Sequence, residues 1–113
     1  MSLDIYLSDQ PCPTCGHSEE VFWCNITHNL GKMAVAAGIY GVVWRPEKHG
    51  ITKAEMLIES LRAAIADMEA NPDVYRAFDS PNGWGMYEHF VPWLRAYLAA
   101  CEKWPNAQVR ASR

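Results

Sequence analysis

Apolar and polar positions change period along this chain, and the changes mark out its elements. Leu3 to Leu7 (LDIYL) is a short strand candidate. Pro11 to Gly16, with two prolines and a glycine in six residues, predicts a turn. Val21 to Thr27 is rich in β-branched and aromatic residues and predicts a second strand. Asn29 then caps a helix through about Ala37, stopped by Gly38. Ile39 to Trp44 is apolar throughout and reads as a short strand or a buried connection, and residues 45–50 read as a loop.

Thr52-Lys53-Ala54-Glu55 has the form of a capping box. Behind it Leu57, Ile58, Leu61, Ala64, Ile65 and Met68 fall on one helical face. Asn71-Pro72-Asp73 ends that helix and starts a short helical turn through Phe78. Residues 79–85 (DSPNGWG) form a loop, and a last helix carries a buried stripe of Trp84, Tyr87, Val91, Leu94, Leu98 and Cys101. Pro92 lies inside that stripe, so a kink there, or a helix start near it, is expected. Trp104-Pro105 stops this helix, and Ala107 to Ser112 alternates as a closing edge strand. The order is not a regular βαβ alternation. It predicts an α+β fold: a small antiparallel or mixed sheet, N-terminal strands plus a C-terminal strand, covered on one face by three helices.

Length and composition narrow the classes. One domain spanning residues 1–113 is expected, and with 50% apolar residues it can bury a core without cysteine staples. A net charge of −3 argues against a nucleic-acid surface, which needs a clustered positive footprint. No run approaches the roughly 20 apolar residues of a membrane span. The first residues have neither a basic nor an apolar segment of a secretory signal, so a cytoplasmic protein with reduced thiols is expected.

Against that background the stretch CPTCGHSEEVFWCNITHN, Cys12 to Asn29, stands out. As a redox pair, Cys12 and Cys15 would have to open a helix, and Gly16 directly after the second thiol breaks it. As a metal knuckle the spacing fits. Two intervening residues let both thiolates face one zinc about 2.3 Å away, and Gly16 permits the turn. Further ligands would come from His17, Cys24, His28 or a distant residue. Cys24 lies mid-strand, where a thiol behaves as a small hydrophobe. His28 lies at a strand–helix junction where the chain can bend toward the knuckle. The expected zinc ligands are therefore Cys12, Cys15 and His28, with a fourth position open. The plainer alternative is two unliganded turn cysteines and a surface histidine.

Two polar stretches interrupt the apolar pattern. Asn25-Ile26-Thr27-His28-Asn29 places Asn25 and Thr27 after Val21 and Trp23, on what should be a core face. Pro81-Asn82-Gly83-Trp84-Gly85-Met86-Tyr87-Glu88 flanks a tryptophan with two glycines. Caps, turns and core cover account for each stretch taken alone. Taken together, the stretches resemble a family of small uncharacterised proteins of bacteria and their phages. These carry Asn-aromatic-Thr-His/Tyr-Asn early and Asn-Gly-Trp-Gly-x-Tyr late, and the likeness spans nearly the whole chain. Ile26 departs from the aromatic usual at its position, which weakens a stacking role there. The resemblance carries no established activity. It implies that the two stretches face one pocket, with ligand-binding residues Asn25, Thr27, Asn29, Asn82, Trp84 and Tyr87. It also implies that His28 and the knuckle form one unit, since members with tyrosine at that position lack the thiol pair.

The expected function is a small soluble metal-binding module whose polar and aromatic pocket takes a small polar ligand or a peptide segment. The alternative is a small metal-dependent hydrolase or transferase with Glu88 or His89 as acid/base. A third reading is an interaction domain using exposed aromatics such as Trp44 or Trp93.

Overall fold

A computed structural model describes residues 2–9, 14 and 19–113 of the chain. The fold is α+β. Strands β1 (Ser2–Ser8), β2 (Glu20–Thr27) and β3 (Gln108–Ser112) form an antiparallel sheet in the order β2-β1-β3. Five α-helices accompany it among the described residues, more than the three expected. They are α1 (Gly31–Ala36), α2 (Tyr40–Trp44), α3 (Ile58–Ala70), α4 (Pro72–Arg76) and α5 (Tyr87–Lys103). Single 3₁₀ turns lie at His28–Leu30, Pro46–His49 and Ala54–Leu57.

The central strand shows strict alternation. Leu3, Ile5 and Leu7 are fully buried, and the residues between them face outward. Their partners Ile26, Cys24 and Phe22 on β2 share that inner face, and Phe22 stacks on Tyr97 of α5 with ring centroids 6.3 Å apart. The opposite face is open. It carries Trp23, which is 53% exposed, Asn25 and Asp4, and Arg110 lies over the Tyr6 ring at 4.4 Å. Expecting a core face at Val21, Trp23, Asn25 and Thr27 was therefore an error of side. The polar residues there follow the ordinary chemistry of a solvent face.

Three further expectations are corrected. Tyr40 to Trp44 is helical, with Ile39 at its N-cap: Ile39 and Val43, at helical spacing, are both buried in the core, and Tyr40 stacks on Trp44 one turn on. The capping box does not form. Val109 N–H donates to the Thr52 carbonyl at 3.0 Å and Lys53 bridges to Gln108, so β3 holds this backbone extended. Ala54 and Glu55 N–H instead reach the carbonyls of Ala107 and Pro105, each at 2.9 Å, which satisfies orphan donors of the first turn. Finally, Trp84 lies outside the α5 stripe and is 70% exposed, whereas Phe90 and Tyr97 belong to the stripe and are fully buried.

Other elements agree with the pattern. Gly38, at φ +78°, follows α1 and ends it. α3 buries Leu61, Ala64, Ile65 and Met68 and packs on α5. Pro72 opens α4 at its first position. α5 runs through Pro92 rather than starting there; Pro92 has no N–H to offer the Glu88 carbonyl, and both residues are exposed. Among the described residues no helix is long and apolar enough to cross a membrane.

Candidate functional site

Thr27 ends β2, and its hydroxyl accepts the Asn29 N–H at 3.2 Å, capping the turn that follows. That turn aims Asn29 Nδ2 at the Trp84 carbonyl, 2.8 Å away and 55 positions along the chain. The facing loop is folded by Asn82. Its Oδ1 accepts the Trp84 N–H at 2.9 Å and the Ser80 hydroxyl at 2.6 Å, and Ser80 N–H reaches the Gly85 carbonyl at 3.1 Å. Gly85 has φ +108°, and a Cβ at that position would sit 2.9 Å from the Asn29 Cβ. Glycine is thus required both by the backbone and by the close approach. Tyr87 anchors the end of the loop: its N–H donates to Asp79 Oδ1 at 2.6 Å and its hydroxyl to the Met68 carbonyl at 2.9 Å.

The two polar stretches therefore meet along one cleft of about 490 Å³. Its polar and aromatic walls are Ser2, Asn25, Thr27, Asn29, Trp84 and His89, with Ile26 and Leu30 as its apolar part. Of the six ligand-binding residues expected, Asn25, Thr27, Asn29 and Trp84 line it. Asn82 and Tyr87 do not. Asn82 spends its carbonyl oxygen on the loop, and Tyr87 is buried with its hydroxyl committed. Ser2 was missed; it enters because cross-strand register pairs it with Thr27, and register is not written in any single segment. Of the two acid/base candidates, His89 lines the cleft and Glu88 does not.

Among the described residues no Asp, Glu, Lys or Arg lines the cleft. Its hydrogen-bonding sense follows from what its amides already hold. Asn25 Nδ2 faces Ser2 Oγ at 2.9 Å, Asp4 Oδ1 at 2.8 Å and the Leu3 carbonyl at 3.3 Å. A carboxylate and a carbonyl only accept, which fixes the amide orientation. The same logic fixes Asn29 against the Trp84 carbonyl. Both Oδ1 atoms are left as uncommitted acceptors among the described residues.

The metal expectation fares differently. Cys12 and Cys15 lie outside the described residues. The flanks of their segment do not: Asp9 N–H donates to the Glu19 carbonyl at 2.7 Å, at one end of β2. His28 follows Thr27 at the other end of that eight-residue strand. Eight residues at about 3.3 Å each separate the ends by roughly 26 Å. His28 is itself engaged. Its Nδ1 accepts the Trp44 Nε1–H at 3.0 Å, so the neutral ring carries its proton on Nε2, whereas a ligating histidine uses one nitrogen on the metal and donates from the other. The expected grouping of Cys12 and Cys15 with His28 falls on residues outside those described.

Cys24 is no better placed as a ligand. It is a free thiol, half-buried on the inner face of β2. Its pKa is pushed up to about 12 by burial first, then by the neighbouring Cys101 thiol and Asp4 carboxylate, so it stays protonated. Cys101 is also free, and burial followed by Glu102 raises it to about 12. Among the described residues, no three His, Cys, Asp or Glu side chains gather so as to hold a metal. Trp44 and Trp93, expected as exposed aromatics, are buried and half-buried; the exposed indoles are Trp23 and Trp84. No protein-family model, curated protein or solved structure matches this chain.

Proposed function

We propose that this protein is a small binding module whose cleft between Asn25 and Trp84 takes an uncharged, hydrogen-bond-donating ligand: a small polar molecule or an extended peptide segment. The observation that carries this reading is the Asn29–Trp84 hydrogen bond, reinforced by the Gly85 approach, which holds two distant polar stretches on one concave surface. Two free amide oxygens ask for donors on the ligand, and an exposed indole offers a flat apolar surface beside them. Among the described residues no Asp, Glu, Lys or Arg of the lining offers a charged ligand a counter-ion. Cys12 and Cys15 enter the reading as a zinc half-site whose role is to hold its own segment together.

His89 supports a second reading, a hydrolase or transferase with an imidazole acid/base. Its nucleophile would be water, or one of the Ser2 and Thr27 hydroxyls that also line the cleft. Saturation-transfer NMR with a panel of uncharged probes, methyl glycosides and N-acetyl amino-acid amides, tests the binding reading. Transfer to at least one class, lost in Trp84→Ala and in Asn25→Ala but kept in His89→Gln, is expected. Absence of transfer from every probe, or equal transfer in Trp84→Ala, contradicts it.

A further inference from the structure

Most cationic side chains of this protein have partners. Of its six arginines, Arg62, Arg95 and Arg113 pair with Glu102, Glu69 and Glu47, while Arg76 and Arg110 lie over the rings of Tyr87 and Tyr6. Arg45 is the exception. It is half-buried at the end of α2, and among the described residues its side chain has no ion pair, hydrogen bond or ring contact. It lines a cavity of about 490 Å³ that shares no lining residue with the cleft at Trp84. Lys32, equally without a counter-ion among the described residues, lines the same cavity, and no Asp or Glu side chain among them does.

The rest of the wall suits an anion. Tyr40 stacks on Trp44 with centroids 5.4 Å apart and planes 17° apart, giving a flat aromatic side. The Trp44 indole fixes the tautomer of His28, so Nε2 of the neutral ring is a donor. Arg113 is a fixed wall: it donates to the Trp44 carbonyl at 2.7 Å and to Glu47 Oε1 at 2.9 Å, so its charge is already shared. Arg45 and Lys32 therefore hold like charges in one concave place on a chain of net charge −3. That arrangement repels itself until an anion enters it.

We propose that this cavity binds an oxyanion, a phosphate or carboxylate carried by a small molecule, gripped by Arg45 and Lys32 beside the Tyr40 ring. Arginine's planar fork matches the paired oxygens of such a group, and lysine supplies a point charge.

The test is a titration of the intact, ¹⁵N-labelled chain with inorganic phosphate and with phenyl phosphate, reading the Trp44 indole N–H. Saturable movement with either probe is expected, weakened about tenfold or more in the Arg45→Gln, Lys32→Gln double variant. Tighter binding of phenyl phosphate assigns the anion to a ring-bearing ligand, and equal binding assigns it to the free ion. Should the double variant fail to fold, Lys32→Gln alone, at an exposed position, must still weaken binding. No saturable movement with either probe, or unchanged affinity in the folded variants, overturns the proposal.

Discussion

Asn29 donates from Nδ2 to the carbonyl of Trp84 at 2.8 Å, and this one bond ties the turn after β2 to the loop before α5. Because a carbonyl cannot donate, the bond depends on the amide nitrogen. Asn29→Asp places a carboxylate against that carbonyl and removes the only donor. Equilibrium denaturation is expected to show a loss of about 1–3 kcal/mol, with faster hydrogen exchange at the amides of residues 83–85. Unchanged exchange there would mean that the loop holds itself without Asn29.

Gly85→Ala meets two obstacles at once, a φ of +108° and the Asn29 Cβ at 2.9 Å. A cost of about 1–3 kcal/mol is expected, together with loss of probe transfer at Trp84. Gly38→Ala serves as the control. Gly38 also has positive φ, but nothing lies within 4 Å of its Cβ position, so a comparable stability loss without a binding defect is expected. Binding defects of equal size in both variants would show that the approach to Asn29 is incidental.

These two positions also show how far the sequence could be read. The strands, the apolar face of α3 and the closing strand were legible because each rests on a local period. Asn25, Thr27, Asn29 and Trp84 were legible as polar or glycine-flanked interruptions. What was not legible depends on contacts between segments. Thr52 looked like a cap but was taken by β3. Asn25 looked buried because the sheet has an open face that no single strand reveals. His28 looked free to turn toward a metal, and only the packing of α2 shows the Trp44 indole donating to its Nδ1.

The buried thiols set a pH dependence. An unfolded cysteine ionises near 9.0, whereas folded Cys24 and Cys101 ionise near 12. Between those values the unfolded chain releases protons that the folded chain keeps, so stability is full below about pH 9 and falls as pH rises toward 12. Chemical denaturation across that range measures the fall, and the Cys24→Ala, Cys101→Ala double variant should show a shallower one. At pH 8 both thiols are expected to react with an alkylating reagent at least roughly a hundredfold slower than in the unfolded chain. Fast, selective labelling of Cys24 in native protein would contradict its burial.

For the metal, Cys12→Ser and Cys15→Ser should each abolish zinc bound to protein purified from a zinc-replete host, whereas His28→Ala should keep it. Elemental analysis alongside protein concentration decides this. Loss of zinc in His28→Ala would instead make His28 a ligand together with the two thiols. Zinc absent from the wild-type chain would leave the two cysteines as plain turn residues.

The central claim is that both polar stretches serve one ligand site, and one titration tests it most directly. Side-chain amide signals of Asn25 and Asn29 and the indole signal of Trp84 are followed while adding an uncharged probe found to bind by saturation transfer. The account predicts that all three move together along one saturation curve, with a single dissociation constant, and that this common curve disappears in Asn29→Ala. Movement of Trp84 without the asparagines, or separate curves for the two stretches, would contradict it.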